Sequence, residues 1–388
     1  MVKKGYKQTE VGVIPEDWEV AQLKYISTGK FTYGVNAPAV EYMPPLFNYI
    51  RITDISDDGH FIRENRMSVI CANPEQFTLK ENDIVFARTG ASTGKTYLYR
   101  KEDGQLVYAG FLIRATINPY LANSRYVFAA LHTKEYWNWV ATSSMRSGQP
   151  GINGNEYASY QIALPDLAEQ TYIAEALEDT DKLIVLLEKQ IAKKKAIKQG
   201  AMQELLTGKR RLPGFSGEWE NVPLRNALTV GHGMSQHDVE SPTGKYPILA
   251  TGGEIGKATK FLWNEPSVLI GRKGTINKPQ YMATPFWSID TLFYTKINEG
   301  YCPKFLYFVF CQIDWLSYNE ASGVPSLSAR TIENIEVRMP EYAEQVAIAE
   351  LLSGLDCEIE VLEQKLTKYR QIKQGMMQQL LTGKIRLV

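Results

Sequence analysis

Two stretches of the chain carry apolar side chains at alternating spacings of four and three residues. This spacing places the apolar residues on one stripe of a helix, at the a and d positions of a heptad repeat, where two helices interdigitate. Each stretch therefore predicts one long helix of a coiled coil. The predicted seam consists of Ile173, Leu177, Thr180, Ile184, Leu187 and Ile191 in the first helix and of Ile348, Leu352, Leu355, Ile359, Leu362, Leu366 and Tyr369 in the second.

The two helical stretches are copies of each other. Residues 165–212 match residues 340–387 without a gap, and 26 of the 48 positions are identical. Asp166 with Glu169 resembles a capping box at the start of the first copy. Both copies end at the sequence LLTGK, where the glycine is placed as a left-handed C-cap. Each predicted helix spans about 40 residues, or roughly 60 Å, which suits a strut better than a helix inside a small domain.

The charges along each predicted helix indicate how the two helices pair. Residues 166–188 hold seven acids and one base, and residues 189–211 hold eight bases and one acid. Residues 341–363 hold seven acids and no base, and residues 364–387 hold six bases and no acid. Antiparallel packing brings each acidic half against a basic half and opposes the helix dipoles. We predict an intramolecular antiparallel coiled coil; the alternative is that the asymmetry only follows the dipole preference within each helix.

A glycine lies inside each predicted helix at the same position of the repeat, Gly200 in the first and Gly375 in the second. A mid-helix glycine costs about 1 kcal/mol relative to alanine. Its presence in both copies predicts either a close approach of another backbone or a kink. The alternative is a tolerated surface glycine.

Each helix follows a longer block, and the two blocks share only short landmarks. Both open on a W-x-x-x-x-L motif, contain a short apolar strand that ends in Arg-x-Gly, and close on S-G-x-P. Short β-branched and aromatic runs between Gly and Asn turns predict mixed α+β blocks. The chain then divides into a first block (1–165), a first helix with its linker (166–213), a second block (214–340) and a second helix (341–388).

Composition excludes several classes of protein. The chain has 388 residues with 44% hydrophobic and 22% charged residues, as in a soluble globular protein, and no apolar run approaches the roughly 18 residues of a membrane helix. The four cysteines are scattered and form no zinc or disulfide pattern, which favours a reducing, cytoplasmic setting. His232 and His237 share a loop without a third ligand, so we expect no metal site. Because the net charge is zero, any DNA-binding surface must be a local patch.

The duplicated landmarks, taken in order, resemble the specificity subunit of type I restriction–modification systems over essentially the whole chain. The motifs that carry the resemblance are W-x-x-x-x-L, S-G-x-P, P-x-x-A-E-Q-x-x-I-A and I-K-Q-G-x-M-Q-x-L-L-T-G-K. The resemblance implies an α+β fold: two mixed α/β target recognition domains are separated by the two helices in a pseudo-two-fold circular arrangement. In that arrangement the entry peptide at the N-terminus lies next to the end of the second helix.

The resemblance also implies a function. Each recognition domain would read one half of a bipartite site in double-stranded DNA. The helices would set the spacer between the half-sites and dock two methyltransferase (M) subunits, and restriction (R) subunits would join this core. The chain itself would carry no catalytic residue and no cofactor, because S-adenosylmethionine, ATP and Mg²⁺ belong to the partner subunits.

Candidate DNA contacts are polar and basic side chains in loops, because a rigid scaffold presents recognition residues there. Arginine can read guanine with two hydrogen bonds, and Asn or Gln can read adenine. The two Arg-x-Gly loops are the strongest candidates, since both blocks keep them. The candidates are Arg51, Arg63, Arg66, Arg88, Thr89, Lys95, Arg146, Ser147 and Gln149 in the first block, and His232, Gln236, Thr251, Lys257, Arg272, Lys273, Asn277, Lys278 and Ser322 in the second.

Two other functions fit the sequence less well. Residues 90–96, GASTGKT, look like a phosphate-binding loop but have three residues between the glycines where the motif needs four. Asn118-Pro119-Tyr120 is a fragment of an amino-methyltransferase motif without its second proline. The chain therefore lacks a complete motif for a nucleotide-dependent enzyme. A pure coiled-coil adaptor leaves two large, diverged blocks without a role.

Overall fold

The computed structural model describes residues 4–145 and 149–387, and its contacts divide the chain into two compact units. The first unit comprises residues 1–186 and 366–388, and the second comprises residues 187–365. Both boundaries fall inside the two long helices. Each unit therefore contains one globular block, the start of one long helix and the end of the other.

The first unit is built from short strands and three short helices in front of the first long helix. Strand order β4-β11-β8-β9 forms an antiparallel sheet, and β10-β6-β7-β5 forms a second sheet in which only β10 and β6 are parallel. The pairs β1-β2 and β12-β3 complete the unit. The strands are β1 (Tyr6–Thr9), β2 (Gly12–Pro15), β3 (Glu19–Gln22), β4 (Ser27–Tyr33), β5 (Ala39–Glu41), β6 (Phe47–Ile50), β7 (Met67–Val69), β8 (Asp83–Ala87), β9 (Thr96–Leu98), β10 (Leu106–Tyr108), β11 (Leu112–Ile117) and β12 (Gln161–Leu164), and the helices are α1 (Ser124–Ala130), α2 (Lys134–Ser143), α3 (Gly154–Ser159) and the long α4 (Leu167–Leu205).

The second unit repeats this plan with fewer strands. Its antiparallel sheet has the order β14-β20-β17-β18, its second sheet has the order β16-β15-β19, and β13 pairs with β21. The strands are β13 (Glu220–Pro223), β14 (Leu228–Gly231), β15 (Tyr246–Ala250), β16 (Gly253–Ala258), β17 (Ser267–Gly271), β18 (Gln280–Met282), β19 (Trp287–Ser288), β20 (Leu292–Ile297) and β21 (Glu336–Met339), and the helices are α5 (Leu224–Ala227), α6 (Pro303–Gln312), α7 (Ala329–Asn334) and the long α8 (Tyr342–Leu380).

One continuous core in each unit joins the block to the long helices. In the first unit, buried side chains of the block such as Trp18 and Tyr126 cluster with Ile173 of α4 and Leu380 of α8. The matching core of the second unit includes Ile348 of α8 and Met202 and Leu205 of α4 among the side chains of its block. The helices are therefore part of each domain's core and not merely connections.

The long helices pair antiparallel inside each unit, as the charge pattern predicts. In the first unit Lys373 of α8 lies 2.5 Å from Asp181 of α4. In the second unit Lys198 of α4 lies 2.5 Å from Asp356 of α8. These two ion pairs occupy the same positions of the repeat, and each joins the basic half of one helix to the acidic half of the other.

The predicted seam residues divide by burial. At the start of each helix the seam is buried, and along the middle of the helices buried and part-buried positions alternate. Buried seam residues are Ile173, Leu177, Leu187, Ile191, Ile348, Leu352 and Ile359, and part-buried ones are Ile184, Leu355, Leu362 and Leu366.

Two local predictions for the helices meet different outcomes. The C-cap prediction is confirmed, because Gly208 and Gly383 have φ of 69° and 66° in the left-handed region. The predicted close approach at Gly200 and Gly375 is wrong: among the described residues, nothing outside the local helix backbone lies within 4 Å of a Cβ built at either glycine. Gly200 is part-buried and Gly375 is exposed, and the predicted kink stays a prediction.

Candidate nucleic-acid interface

A buried carboxylate fixes the first block to both long helices. Glu169, at the start of α4, is 0% exposed and accepts a hydrogen bond from the indole Nε1 of Trp18 at 3.0 Å. Arg386, just beyond α8, donates two hydrogen bonds to the same carboxylate at 2.5 and 2.7 Å. Arg386 also pairs with Asp17, and this hydrogen bond lowers the pKa of the Asp17 carboxyl. The contact ties the start of the block to the start of one helix and the end of the other.

The second unit contains the same contact in the corresponding positions. Glu344, also 0% exposed, accepts from Trp219 Nε1 at 3.1 Å and from Arg211 at 2.6 Å on each oxygen. Hydrogen bonding to Glu344 raises the pKa of Arg211. A buried carboxylate requires this kind of compensation, since an unpaired buried charge is strongly unfavourable.

The capping-box prediction is therefore only half right. Asp166 Oδ1 accepts from the backbone N–H of Glu169 at 2.9 Å, as an N-cap residue should. The Glu169 carboxylate, however, is bonded to Trp18 and Arg386. The glutamate of the A-E-Q motif holds the tertiary structure together.

The glutamine that follows each buried glutamate positions a helix of the block. Gln170 Oε1 accepts from the backbone N–H of Asn123, the N-cap residue of α1, at 2.8 Å. Gln345 Oε1 accepts from the backbone N–H of Cys302, the N-cap residue of α6, at 2.9 Å. Both glutamines are buried. The duplicated A-E-Q motif thus orients each block on its long helix through backbone groups.

The fold brings the Arg-x-Gly loop and the S-G-x-P loop of the first block together. Gly90 donates its N–H to the carbonyl of Pro150 at 3.1 Å, and Ile152 donates to the carbonyl of Arg88 at 2.9 Å. Thr89 forms a bridge with Gly151. Gly90 has a φ of 74°, which explains why glycine is required there. Residues 88–90 and 150–152 form one surface element, since their backbone groups are hydrogen-bonded to each other.

The second unit builds the same element from the same backbone groups. Gly274 donates to the carbonyl of Pro325 at 2.9 Å, Leu327 donates to the carbonyl of Arg272 at 3.0 Å, and Lys273 bridges Ser326. Gly274 has a φ of 89°. In each block two motifs that are distant along the chain thus meet at one place, and this place is the candidate interface.

Several predicted contact residues lie on or beside this element. The guanidinium of Arg88 lies 4.9 Å from the centre of the Tyr33 ring, a cation–π contact that positions the part-exposed arginine. Gln149 Nε2 lies 3.2 Å from a Cβ built at Gly90, and Thr251 Oγ1 lies 4.0 Å from one built at Gly274. The candidate contacts at this element are therefore Arg88, Thr89 and Gln149 in the first unit. In the second unit they are Thr251, Arg272 and Lys273.

Other candidates of the first block are paired with acidic side chains. Arg51 donates two hydrogen bonds of 2.7 Å to the buried Asp54. Arg63 lies 2.6 Å from Asp103, and Lys95 lies 2.7 Å from Asp57. Their charges are largely compensated within the block, so these residues are weaker candidates for phosphate contacts than Arg88.

The remaining described candidates make other contacts or are exposed. Arg66 lies 6.0 Å from the Tyr42 ring, His232 packs edge-on against Phe293, and Lys257 pairs with Glu254. The Gln236 carbonyl accepts from Val239 and Glu240 in a turn. Asn277, Lys278 and Ser322 are exposed. Arg146 and Ser147 lie outside the described residues.

The GASTGKT segment is not a phosphate-binding loop. A phosphate-binding loop lies between a strand and a helix whose N-terminus faces the phosphate. Here the segment follows β8 and is succeeded by strand β9, and Lys95 is bonded to the carbonyl of Ile55 as well as to Asp57. The segment instead forms the turn that supports the Arg-x-Gly loop.

Sequence reasoning missed the residues that assemble the site. Trp18, Glu169 and Arg386 each lie in a duplicated motif, and that duplication was the available signal. Tyr33 lies in no duplicated motif, and only its contact with Arg88 in the structure identifies it as part of the site.

The rest of the surface offers few chemical alternatives. No cluster of three or more His, Cys, Asp or Glu side chains among residues 4–145 and 149–387 could hold a metal ion. Over the same ranges, every helix is too short or too polar to cross a membrane.

Comparison with known proteins gives one consistent result. The family model described as the type I restriction modification DNA specificity domain matches residues 15–199 and 217–370. Two Methanocaldococcus jannaschii proteins, the putative type I restriction enzyme MjaX specificity subunit and the MjaVIII specificity subunit, are 26% and 24% identical, each over 99% of this chain and 97% of its own length. The crystal structure of a type I restriction–modification S subunit from M. genitalium has the same fold, with a TM-score of 0.67 at 14% identity over 94% of this chain and 96% of that one.

Proposed function

Because this chain belongs to the type I restriction–modification DNA specificity family, we propose that each of its two units reads one half of a two-part DNA sequence. The chain is the specificity subunit and not a catalytic one. The observation that carries the proposal is the pair of loop elements, Arg88–Gly90 with Pro150–Ile152 and Arg272–Gly274 with Pro325–Leu327. Each presents a basic side chain from a rigid backbone frame, as base readout requires.

We propose that Arg88 and Arg272 contact base edges or phosphates, each in its own half-site. Thr89, Gln149, Thr251 and Lys273 lie close enough to the same loops to add contacts in the same groove. The zero net charge supports a compact recognition patch in each unit over broad electrostatic attraction.

We propose further that α4 and α8 determine the separation of the half-sites. Both helices are continuous over 39 residues, or about 58 Å at 1.5 Å per residue, and each contributes to the core of both units. Inserting whole helical turns into both helices should lengthen the spacer and leave each half-site unchanged. A changed half-site with a constant spacer would contradict the proposal.

The partners follow from the family. A solved structure with a TM-score of 0.57 and 15% identity over 96% of this chain was described in work on complex assembly of the type I R-M system. We propose that this chain assembles with two methyltransferase subunits on the long helices and that restriction subunits join them. S-adenosylmethionine, ATP and Mg²⁺ would be bound by those partners.

Mapping modified adenines tests the proposal directly. The chain should be expressed with its methyltransferase subunit in cells that lack other modification, and modified positions should then be read across the genome. A two-part motif with a constant gap is expected. A second experiment measures how tightly the chain binds a duplex with that motif and a scrambled duplex, each at two salt concentrations. It separates a specificity subunit from an adaptor and from an enzyme. An adaptor would bind neither duplex specifically, and an enzyme would modify DNA or hydrolyse ATP without the partner.

A further inference from the structure

A tight turn lies against the Arg-x-Gly loop of the first unit and carries an exposed aromatic residue. In the turn from Ala109 to Leu112, Leu112 donates its N–H to the carbonyl of Ala109 at 2.8 Å. The carbonyl of Phe111 accepts from the N–H of Arg88 at 3.1 Å, and Gly110 donates to the carbonyl of Val35 at 2.8 Å. The turn is therefore fixed to the candidate interface through its backbone, and it cannot move independently of Arg88.

The Phe111 side chain is 57% exposed, although Ala109 and Leu112 in the same turn are buried. Single exposed apolar residues are common on protein surfaces. Phe111 differs from most of them because it stands on a rigid turn beside Arg88, whose guanidinium stacks on the part-exposed Tyr33 ring.

The second unit has the same turn with different residues at its tip. Leu292 donates to the carbonyl of Ile289 at 2.9 Å, and the carbonyl of Thr291 accepts from Arg272 at 2.8 Å. Thr291 therefore occupies the place of Phe111, and the exposed Asp290 occupies the place of Gly110. The backbone is repeated, but an apolar ring is replaced by a small polar side chain next to a carboxylate.

We propose that Phe111 is an aromatic wedge that stacks on a base of the half-site read by the first unit and partly unstacks that base step. Proteins that kink DNA insert apolar side chains between base steps while cationic side chains hold the adjacent backbone. A rigid turn lowers the entropy cost of placing the ring. The second unit, with Asp290 and Thr291 at this place, reads its half-site without unstacking. The inference rests on the proposed function, since it assigns Phe111 to the same DNA-binding surface.

The test uses the full chain with its methyltransferase subunit and the duplex identified by mapping modified adenines. 2-Aminopurine, whose fluorescence rises when it is unstacked, is placed in turn at positions of both half-sites that the methyltransferase does not modify. The wild-type complex should enhance the fluorescence in one half-site only. Phe111→Thr, which installs the residue of the second unit, should abolish the enhancement and weaken binding about tenfold, the range expected for loss of an aromatic stacking partner.

Matched variants distinguish stacking from a general defect. Phe111→Trp should keep the enhancement, and Thr291→Ala should leave both half-sites as in the wild type. Phe111→Ala, which removes the ring from the exposed tip of the turn, should bind without the enhancement, and it is the second test if Phe111→Thr does not fold. An unchanged enhancement in folded Phe111→Thr, or in folded Phe111→Ala, overturns the wedge. If the wild type selects the mapped duplex but unstacks neither half-site, the wedge fails and the proposed function stands; if it does not select that duplex, the proposed function fails.

Discussion

The two units use the same internal contacts and present different surfaces. Both bury a glutamate bonded to a tryptophan and an arginine, and both join an Arg-x-Gly loop to an S-G-x-P loop through backbone hydrogen bonds. The side chains around those loops differ: the exposed Phe111 beside Arg88 in the first unit is replaced by Thr291 beside Arg272 in the second. The repeat therefore keeps what positions the recognition surface and varies what that surface displays.

This difference has a physical reason. A substitution in the buried Trp–Glu–Arg contact leaves charged or polar groups without partners in the core. A substitution at the tip of a turn whose backbone makes its own hydrogen bonds changes only the surface. A frame held by backbone groups can thus carry many different recognition side chains.

Removing the buried glutamate should have the largest effect and should affect both units alike. Glu169→Ala leaves Arg386 and the indole N–H of Trp18 without their shared acceptor, and Glu344→Ala does the same to Arg211 and Trp219. Each variant should lose about 3–5 kcal/mol of the free energy of unfolding, measured by denaturant titration.

The matched control lies on the same helices. Glu175→Ala and Glu350→Ala replace exposed glutamates at repeat-equivalent positions, and each should change the free energy of unfolding by less than about 0.5 kcal/mol. A large loss from Glu169→Ala with a small loss from Glu344→Ala would show that the two contacts are not equivalent.

Acid should destabilise the first unit through a histidine that the second unit lacks. His132, at the end of α1, corresponds to Cys311 in α6, and burial lowers the pKa of His132 to about 4. The unfolded chain, with a histidine pKa of about 6.5, binds more protons between these values. Stability is therefore present above about pH 6.5 and is lost as the pH falls toward 4, by about 2–3 kcal/mol.

Replacing His132 by the residue of the second unit isolates this effect. Denaturation midpoints measured from pH 7 to pH 4 should fall less steeply in His132→Cys than in the wild type. His237→Ala, which removes an exposed histidine of the second unit, should keep the wild-type slope. Equal slopes for His132→Cys and the wild type would exclude His132 as the cause.

Removing one recognition arginine should affect one half-site and not the other. Arg88→Ala and Arg272→Ala should each cost about 1–3 kcal/mol of DNA-binding free energy and relax one base position. Arg63→Ala is the control, because its guanidinium is already paired with Asp103 and should add little to affinity. Affinity titrations and modified-adenine mapping measure both quantities. If both arginine variants keep the wild-type affinity and site, the assignment of these loops to DNA is wrong.

The smallest effect is expected from an ion pair that only the second unit has. Lys194 lies 2.5 Å from Glu358 on the coiled coil, whereas the equivalent positions of the first unit are Tyr369 and Leu183. Both charges are substantially exposed, so Lys194→Met should cost at most about 1 kcal/mol. Thermal unfolding at low salt should show this loss, and high salt should remove it. A loss that persists at high salt would point to packing by the lysine stem.

The helices and their pairing were accessible from the sequence, and most of the candidate site was not. The heptad spacing and the charge halves are properties of neighbouring residues, so they predicted α4, α8 and their antiparallel contacts such as Lys373 with Asp181. The Arg-x-Gly loops were found because the chain repeats them. The pairing of Arg63 with Asp103 and of Lys95 with Asp57 was invisible, since those partners lie far apart along the chain.

The sequence by itself determined two long antiparallel helices, two diverged blocks and the family to which the chain belongs. Periodicity and charge act between near neighbours, so they can be read along the chain. Only the tertiary structure decided that Trp18 meets Glu169 across 151 positions and Arg386 meets it across 217. It also decided that Phe111 stands beside Arg88. These contacts join residues that are distant in sequence. The free energy of burying a charge or of fixing a turn depends on the groups that surround it in the folded structure, and those groups are not its neighbours along the chain.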